Sequence, residues 1–436
     1  MYGQKYLFNQ SFPKTKLSRK NTIMDFSDTI EEAEFRQQAR QWIAENAPTY
    51  LEEPLSTSGF GSTKTDQYNP LEEAKKWQKK KADSGWACIQ WPSEYGGQDA
   101  TPIQSVIWNQ EEGLYAQLSR TFIIGQGMCA PTMMAFARED HKERLLPKLA
   151  SGEEVWCQLF SEPHGGSDLA GLRTRAEKDG DDWVINGQKI WTSGAQNSDY
   201  GILITRTDPE VPKHMGLTMF FLDMKSEGVE IRPIKQSNGD SGFNEVYFDN
   251  VRIPDAQRLG EVGEGWKVSL TTLMNERLAI GGSISTGFPE IKSLVDELRF
   301  LSGPAIENPA VRSKLADWYA KSAGLKNTAS RAISALSKGE TPGPENSIGK
   351  LVAGGMMQDI AKFGLDLQGL GGVIVDPEMA AGSARLQAML MRSPAVRIEG
   401  GTDQILRNII SERVLGLPGD MRADKGLPFN KIPSGN

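Results

Sequence analysis

Apolar positions change their spacing twice along the chain. From Asp25 they recur at helical intervals. Ser27 can cap a helix, Ile30, Phe35, Ala39, Trp42 and Ile43 follow it, and Pro48 ends the run. The polar stretch over 53–70 predicts a loop, and residues 71–84 predict a second helix. SGWACIQWPSEYGGQ reads as irregular turns, and further helices are predicted over 102–119 and 131–149, the latter closed between Pro147 and Gly152. Near residue 155 the pattern turns β-prone. EKDGDDWVINGQKIWTSG holds two such runs joined by Asn186-Gly187, a dipeptide suited to a hairpin turn. YGILITR, LTMFFLDM, GVEIRPI and NEVYFDNVRIP continue the pattern, and the loop DPEVPKHMG interrupts it. Strands at this spacing predict a small all-β unit over about 155–258. Helical spacing returns at Gly263, where Trp266, Leu270, Leu273 and Arg277 share a face that Met274 widens. Helices are then predicted at 288–300, 309–338, 345–368 and 403–415.

The chain thus divides into an extension (1–24), a helical domain (25–154), a β domain (155–260), a second helical domain (261–418) and a tail (419–436), an α+β multidomain protein. Its 436 residues suffice for two or three full cores. No apolar run approaches the ~18 residues needed to cross a bilayer, so no membrane span is predicted. A net charge of −7 counts against nucleic acid as a partner. Cys88, Cys129 and Cys157 are scattered without a CxxC, which suits a reducing compartment. His141, His164 and His214 have no metal-ligand spacing, so no metal is expected. The first 24 residues carry five basic side chains and no acid. Such a leader suits a mitochondrial transit peptide, but Arg19 is its one arginine and it has no long amphipathic face. A disordered extension, or translation begun upstream of Met24, is expected instead, in a cytoplasmic bacterial protein, with the mitochondrial matrix as the alternative.

The stretch with most chemistry is WCQLFSEPHGGSDLAGLRTR, Trp156 to Arg175. A β-prone run, Trp156 to Phe160, meets a turn holding Pro163, Gly165 and Gly166, after which Ser167 and Asp168 cap a short polar segment. Glycines there can take backbone angles closed to other residues and let a ligand approach the backbone closely. The Ser161 and Ser167 hydroxyls both donate and accept. A phosphate or a heteroaromatic edge suits such a place; so does an ordinary β-turn with no ligand.

SEPHGGSDLAGLRTRA resembles the flavin-binding signature of the acyl-CoA dehydrogenase family, which reads like TEPGAGSDLAGLKT. QKIWTSGA (Gln188 to Ala195) is similar to the family's second flavin signature, and EGGTDQILRNIISERVLGLP (Glu399 to Pro418) resembles its closing segment. The resemblance covers Met24 to about Pro418. It implies an N-terminal helical domain, a middle β-barrel-like domain and a C-terminal four-helix bundle. It also implies FAD as cofactor, oxidation of an acyl-CoA thioester to the trans-2-enoyl-CoA, and an electron-transferring flavoprotein as electron acceptor. An indole can cover one face of an isoalloxazine while the adjacent hydroxyls of Thr192 and Ser193 reach ring heteroatoms, and the resemblance points to Trp191 and Ser193 for these roles. By the same resemblance the backbone near Gln158 and Phe160 and the Ser161 hydroxyl face the flavin edge, and Ser167 lies near the pyrophosphate and the thioester arm. His164 reads as a surface loop residue. LQGLGG resembles the family's LQIFGG segment, which carries Gln368, Gly371 and Gly372 toward the FAD adenosine of another subunit; a helix ending at glycines explains the same residues. Thr402 and Gln404 match further FAD-contacting positions. A homodimer or homotetramer with cofactor at its interfaces follows. The family's RxxFG-type arginine segment has no counterpart in LRFLSGPAIENPAVR, so no arginine is assigned to the pyrophosphate.

The base is the open position. Many members carry glutamate directly before Gly-Thr; here Gly400 stands there and Glu399 is one residue early, an offset of several ångströms. Glu276, in NERLAIG beside Arg277, resembles the long-chain and isovaleryl branch, whose base sits on this helix and whose closing segment lacks the acid. Glu276 is therefore the expected α-proton base, with Glu399 the second choice and Arg277 and Ser167 toward the substrate. Two rivals stand beside this reading: a flavin-dependent oxidase or monooxygenase on the same fold, and a non-catalytic subunit of a heteromeric dehydrogenase.

Overall fold

The computed structural model describes residues 28–48, 70–281, 286–337, 343–422 and 424–433. The extension over 1–24, Ser27 and nearly all of the 53–70 loop lie outside the described residues. Thr29 caps the first helix, α1 (Ile30–Asn46). Its hydroxyl accepts from Glu32 N at 3.2 Å, and the Glu32 carboxylate accepts from Thr29 N at 2.8 Å, a reciprocal capping box. Phe35, Ala39 and Ile43 turn inward from α1 as their spacing predicts.

After α2 (Pro70–Asp83) and α3 (Pro102–Glu111), the single helix expected to 119 breaks into a 3₁₀ turn over Glu112–Tyr115 and the short α4 (Ala116–Ser119). Gly113 lies at the break, where it weakens helical continuity. The buried Glu112 carboxylate there accepts from Trp77 Nε1 (2.8 Å), Lys81 Nζ (2.7 Å) and Ser119 Oγ (2.7 Å). The helix expected over 131–149 is also two, α5 (Ala130–Phe136) and α6 (Glu139–Ser151). Ala137 and Arg138 between them take extended angles, with ψ of 158° and 152°, and Glu139 and Asp140 favour the new helix N-terminus.

Eight strands make the middle domain: β1 (Trp156–Leu159), β2 (Arg175–Asp179), β3 (Asp182–Ser193), β4 (Tyr200–Arg206), β5 (Leu217–Asp223), β6 (Val229–Ile234), β7 (Phe243–Pro254) and β8 (Arg258–Leu259). They lie in the order β6-β7-β3-β2-β4-β5-β8, with β1 parallel to β4. The hairpin expected at Asn186-Gly187 is absent. β3 runs straight through both residues, and the tight turn lies at Gly180, φ +61°, between β2 and β3. Gly187 instead marks a register shift against β7, and it passes so close to Thr174 that a Cβ would sit 2.6 Å from the threonine Oγ1. Cys157, Ile185, Leu203, Phe220, Val246 and Val251 fill the space within the sheet.

The chain continues as α7 (Gly265–Gly281), α8 (Phe288–Glu297), a small hairpin of β9 (Arg299–Phe300) and β10 (Gly303–Pro304), α9 (Pro309–Ser337), α10 (Ser347–Leu367), α11 (Arg385–Val396) and α12 (Asp403–Ile409), the last extended by a π-helical turn, Ile410–Val414. The sequence pattern misses the hairpin and α11, whose signal Pro394 interrupts. Among the described side chains of α7, Val268, Ser269 and Thr272 are buried, while Leu270 and Met274, on the predicted shared face, are exposed. Thr272 Oγ1 meets Thr132 Oγ1 of α5 at 2.8 Å, a buried link between the two helical domains. One core joins Met133, Leu146 and Leu149 to Trp156 and Phe221 of the sheet and to Val268 of α7. The strand end of β1 is therefore held from three sides. No helix among the described residues is long and apolar enough to cross a membrane.

Candidate active site

β1 delivers the chain to the Gly-rich loop, and a buried ion pair anchors the loop from below. Lys189 Nζ, fully buried on β3, donates to Phe160 O at 3.0 Å and to Glu162 Oε1 at 2.8 Å. The Glu162 carboxylate also accepts from the backbone N–H groups of Arg173 (2.7 Å) and Thr174 (2.9 Å). Burial alone would raise the Glu162 carboxyl, but Lys189 and these donors outweigh it and hold it below its ordinary value. Burial pushes the Lys189 ammonium down, and Glu162 opposes that shift. The turn closes through Glu162 N to Gly165 O (3.1 Å) and Gly165 N to Glu162 O (3.0 Å). Neither Gly165 nor Gly166 takes a positive φ, contrary to the expectation for them. What they supply is a bare backbone: a Cβ on Gly166 would stand 3.5 Å from Ser161 Oγ, over the exposed face. Ser167 and Asp168 are exposed there, and His164 lies at the rim with Nε2 3.2 Å from Gly171 O.

β3 forms the second wall. Ile190 N donates to Ser161 O at 2.9 Å, and pairing with β7 slips between Lys189 and Thr192. The slip puts Trp191 at φ +60°, uncommon for a bulky residue, and turns its indole outward, 55% exposed, edge-on to Phe243 at 6.1 Å. Thr192 beside it is 1% exposed, and its Oγ1 has no hydrogen-bond partner. Ser193 is half-buried. An outward indole, an orphaned buried hydroxyl and a loop of exposed backbone and hydroxyls suit a flat heteroaromatic cofactor with a phosphate arm.

The third wall is α7 with the closing segment. Gln158 Nε2 of β1 donates to Glu276 Oε2 at 3.4 Å across 118 residues of sequence. A Cβ built on Gly400 would lie 3.4 Å from Glu276 Oε1 and 3.7 Å from Lys350 Cε. The two alternative base positions thus face one point in space. Glu399 is engaged elsewhere, its Oε1 2.5 Å from Arg392 Nη2. The side chain of Arg277 lies outside the described residues. The pattern of the sequence did not single out Lys350, one charge on the otherwise apolar N-terminal half of α10. It is buried, donates through Nζ to Gly401 O, and is pushed below its ordinary value by burial while Glu399, Asp403 and Glu276 hold it up. Thr402 caps α12, accepting from Ile405 N at 3.2 Å, and Gln404 is exposed. Gln368 ends α10 with Nε2 on Gly364 O at 3.1 Å. Gly372 packs so tightly that a Cβ would lie 2.5 Å from Leu365 O, while Gly371 is half-buried. Among the described residues no group of three His, Cys, Asp or Glu is placed to hold a metal ion.

An α–β–α chain whose Gly-rich strand-end loop, outward indole and α7 carboxylate lie on adjoining elements suits a cofactor-binding enzyme. The sequence patterns described as acyl-CoA dehydrogenase N-terminal, middle and C-terminal domain match residues 29–153, 157–251 and 263–415. Acyl-CoA dehydrogenase IpdE1 of Mycolicibacterium smegmatis is 33% identical over 408 residues, 90% of this chain and 100% of that protein. Acyl-CoA dehydrogenase FadE34 of Mycobacterium tuberculosis is 36% identical over 340 residues, but the chain spans only 45% of its length. Among solved structures, the ChsE4-ChsE5 complex from Mycobacterium tuberculosis (28% identity, TM-score 0.73) and the Tcur3481-Tcur3483 steroid ACAD (27%, TM-score 0.75) each align over 91% of this chain and 100% of theirs. The chain belongs to the acyl-CoA dehydrogenase family.

Proposed function

We propose that the chain is an FAD-dependent acyl-CoA dehydrogenase whose α-proton base is Glu276. The observation that carries this reading is the approach of Glu276 Oε1 to the position a side chain on Gly400 would take. One carboxylate serves the point that either backbone element can reach, and this chain retains it on α7. Gln158 orients that carboxylate by donating to its other oxygen. In the proposed reaction Glu276 takes an α-proton of the thioester while the β-hydrogen leaves with its electron pair, so that the Cα–Cβ single bond becomes a trans double bond. FAD, when bound, supplies the acceptor for that hydride. Trp191, Thr192 and Ser193 would hold its ring, with Ser161 and the Gln158–Phe160 backbone along its edge. Ser167 would hold the pyrophosphate side and the thioester arm. Gln368, Gly371, Gly372, Thr402 and Gln404 would complete the site of a neighbouring subunit. Electrons would pass on to an electron-transferring flavoprotein.

For substrate, the likeness to the steroid ACAD favours acyl-CoA thioesters attached to a bulky ring system over simple fatty acyl chains. The ChsE4-ChsE5 complex gives a second reading of the assembly, in which this chain pairs with a homologous but different one. The test is to load the purified chain with FAD, offer straight-chain and steroid-linked acyl-CoAs, and follow loss of two hydrogens by mass spectrometry. Enoyl-CoA formation that depends on an electron-transferring flavoprotein is expected; formation driven by O2 alone would favour the oxidase. If no thioester is oxidised, even with a co-purifying homologue present, the reading fails.

A further inference from the structure

The Gly-rich loop has a ligand-facing side, where Ser167 and Asp168 are exposed, and a rear side made of main-chain carbonyls. Arg206, at the end of β4 and 4% exposed, occupies the rear. Its Nη2 donates to Ala170 O at 2.6 Å, its Nε to Leu172 O at 3.1 Å, and its Nη1 to Lys213 O at 3.2 Å. A buried guanidinium is stable only when its donors are satisfied and its faces packed. The packing on one face comes from far along the chain: the Phe429 ring lies 3.6 Å from the guanidinium carbon. That ring is fixed by two main-chain bonds, Phe429 N to Val211 O and Asn430 N to Pro209 O, both 2.9 Å. A second tie reaches the loop directly. Lys213 Nζ bridges Asp168 Oδ1 at 2.7 Å and Asp424 Oδ2 at 2.5 Å. The segment that follows the C-terminal helices thus returns to the β domain and reaches the loop through two side chains, Arg206 at its rear and Lys213 at Asp168.

We propose that Arg206 and the Asp424–Asn430 segment together form a brace that positions the Asp168–Leu172 turn, and with it the Ser167 face that takes the acyl-CoA. The proposal rests on the functional reading above for its ligand, but the brace itself is a statement about the chain. Arg206 is a positioning residue: it holds the backbone of the turn and is shielded from the ligand by it. Glu276 stands on α7, and none of the brace contacts touches it. Weakening the brace therefore loosens substrate binding and leaves proton abstraction alone.

The experiment uses the full chain loaded with FAD and the double variant Phe429→Ala/Asp424→Asn. Hydrogen exchange at the turn, where Gly171 N is bonded to Asp168 O and Leu172 N to Leu169 O, is expected to speed up about tenfold relative to the rest of the sheet. KM for the best acyl-CoA is expected to rise about threefold or more, with kcat within about twofold. Phe429→Tyr, which keeps an aromatic face, should behave as the parent. Unchanged exchange at the turn overturns the brace. So does faster exchange spread over the whole chain with kcat falling alongside, which would mark the segment as a general stabiliser. Faster local exchange with unchanged KM would also overturn it, since the turn would then not position the ligand. If the parent chain oxidises no thioester, the functional reading alone falls, and the local exchange rate decides the brace.

Discussion

At the scale of single residues, the proposed reaction turns on which carboxylate lies where a base is needed. Glu399 is held by Arg392, whereas Glu276 faces the space beside Gly400. Glu276→Gln keeps the shape and the capacity to accept from Gln158 but cannot take a proton. Turnover is expected to fall by roughly 10²–10⁴-fold with acyl-CoA binding retained, and Glu399→Gln to cost far less. Stopped-flow reduction of bound flavin measures both; a dead Glu399 variant beside an active Glu276 variant would reverse the assignment. Adding Gly400→Glu to Glu276→Gln should restore part of the rate, against a backbone cost of roughly 1–2 kcal/mol for a side chain at φ +58°. The Glu162–Lys189 pair makes a separate prediction. Glu162→Gln leaves a fully buried ammonium without its counter-charge, and about 3–5 kcal/mol of stability should be lost. Because the folded Glu162 carboxyl lies below its unfolded value, the parent's gain is complete above about pH 4.5 and is lost as pH falls through the folded value, so parent and variant converge in acid. Denaturant midpoints across pH report this, and equal midpoints at neutral pH would mean that Lys189 is uncharged in the fold. Glu276 was singled out in the sequence through the resemblance, because its neighbours Arg277 and Leu278 and the missing acid at Gly400 form one pattern. Gln158 and Lys350 were not legible as its neighbours, since their contacts join residues that only the packed fold brings together.

At the scale of elements, β3 carries the wall proposed for the flavin, and its irregularity matters more than its length. A regular strand would alternate Lys189, Ile190, Trp191 and Thr192 strictly between faces. The slip against β7 frees Trp191 to point outward while Thr192 stays buried. The Asn186-Gly187 dipeptide suggested a turn because its composition suits one, yet close passage by Thr174 explains the glycine and the pairing of β2 with β3 decides the turn. Composition speaks for local angles; which neighbour the backbone must pass is a tertiary fact. The same holds for α11, where Pro394 hides a helix that packs Leu386 and Met389 into the bundle core. Trp191→Ala should leave β3 intact, since the indole contributes exposed rather than core surface. FAD retention should weaken by on the order of 1 kcal/mol or more, with a changed flavin absorption spectrum. Equal occupancy and an unchanged spectrum would remove Trp191 from the cofactor wall.

At the scale of the whole molecule, the order helical, β, helical was readable from the change of apolar period, because each domain keeps a core with its own spacing beside the one that joins all three. Assembly is expected from the resemblance, and the structure adds a physical argument for it. The segment after α10 exposes Leu370 (92%), Val373 (79%), Val375 and Met379, and α7 exposes Leu270 and Met274. Single exposed apolar residues are ordinary, but a run of four on the loop that holds Gln368, Gly371 and Gly372 is the composition of a covered surface. If a second chain covers it, the loop's glycines meet the neighbour's cofactor and the site is complete only in the oligomer. The prediction is a dimer or larger assembly in which FAD content follows assembly. Leu370→Asp/Val373→Asp, which changes no residue of the chain's own β domain, should yield smaller species by light scattering, and FAD should leave as they form. Charged side chains on a surface that is free in solution would be tolerated without either change. A monomeric parent with one FAD per chain would sink the prediction outright, and a stable parent complex containing a second homologous chain would direct the same test to that partner's face.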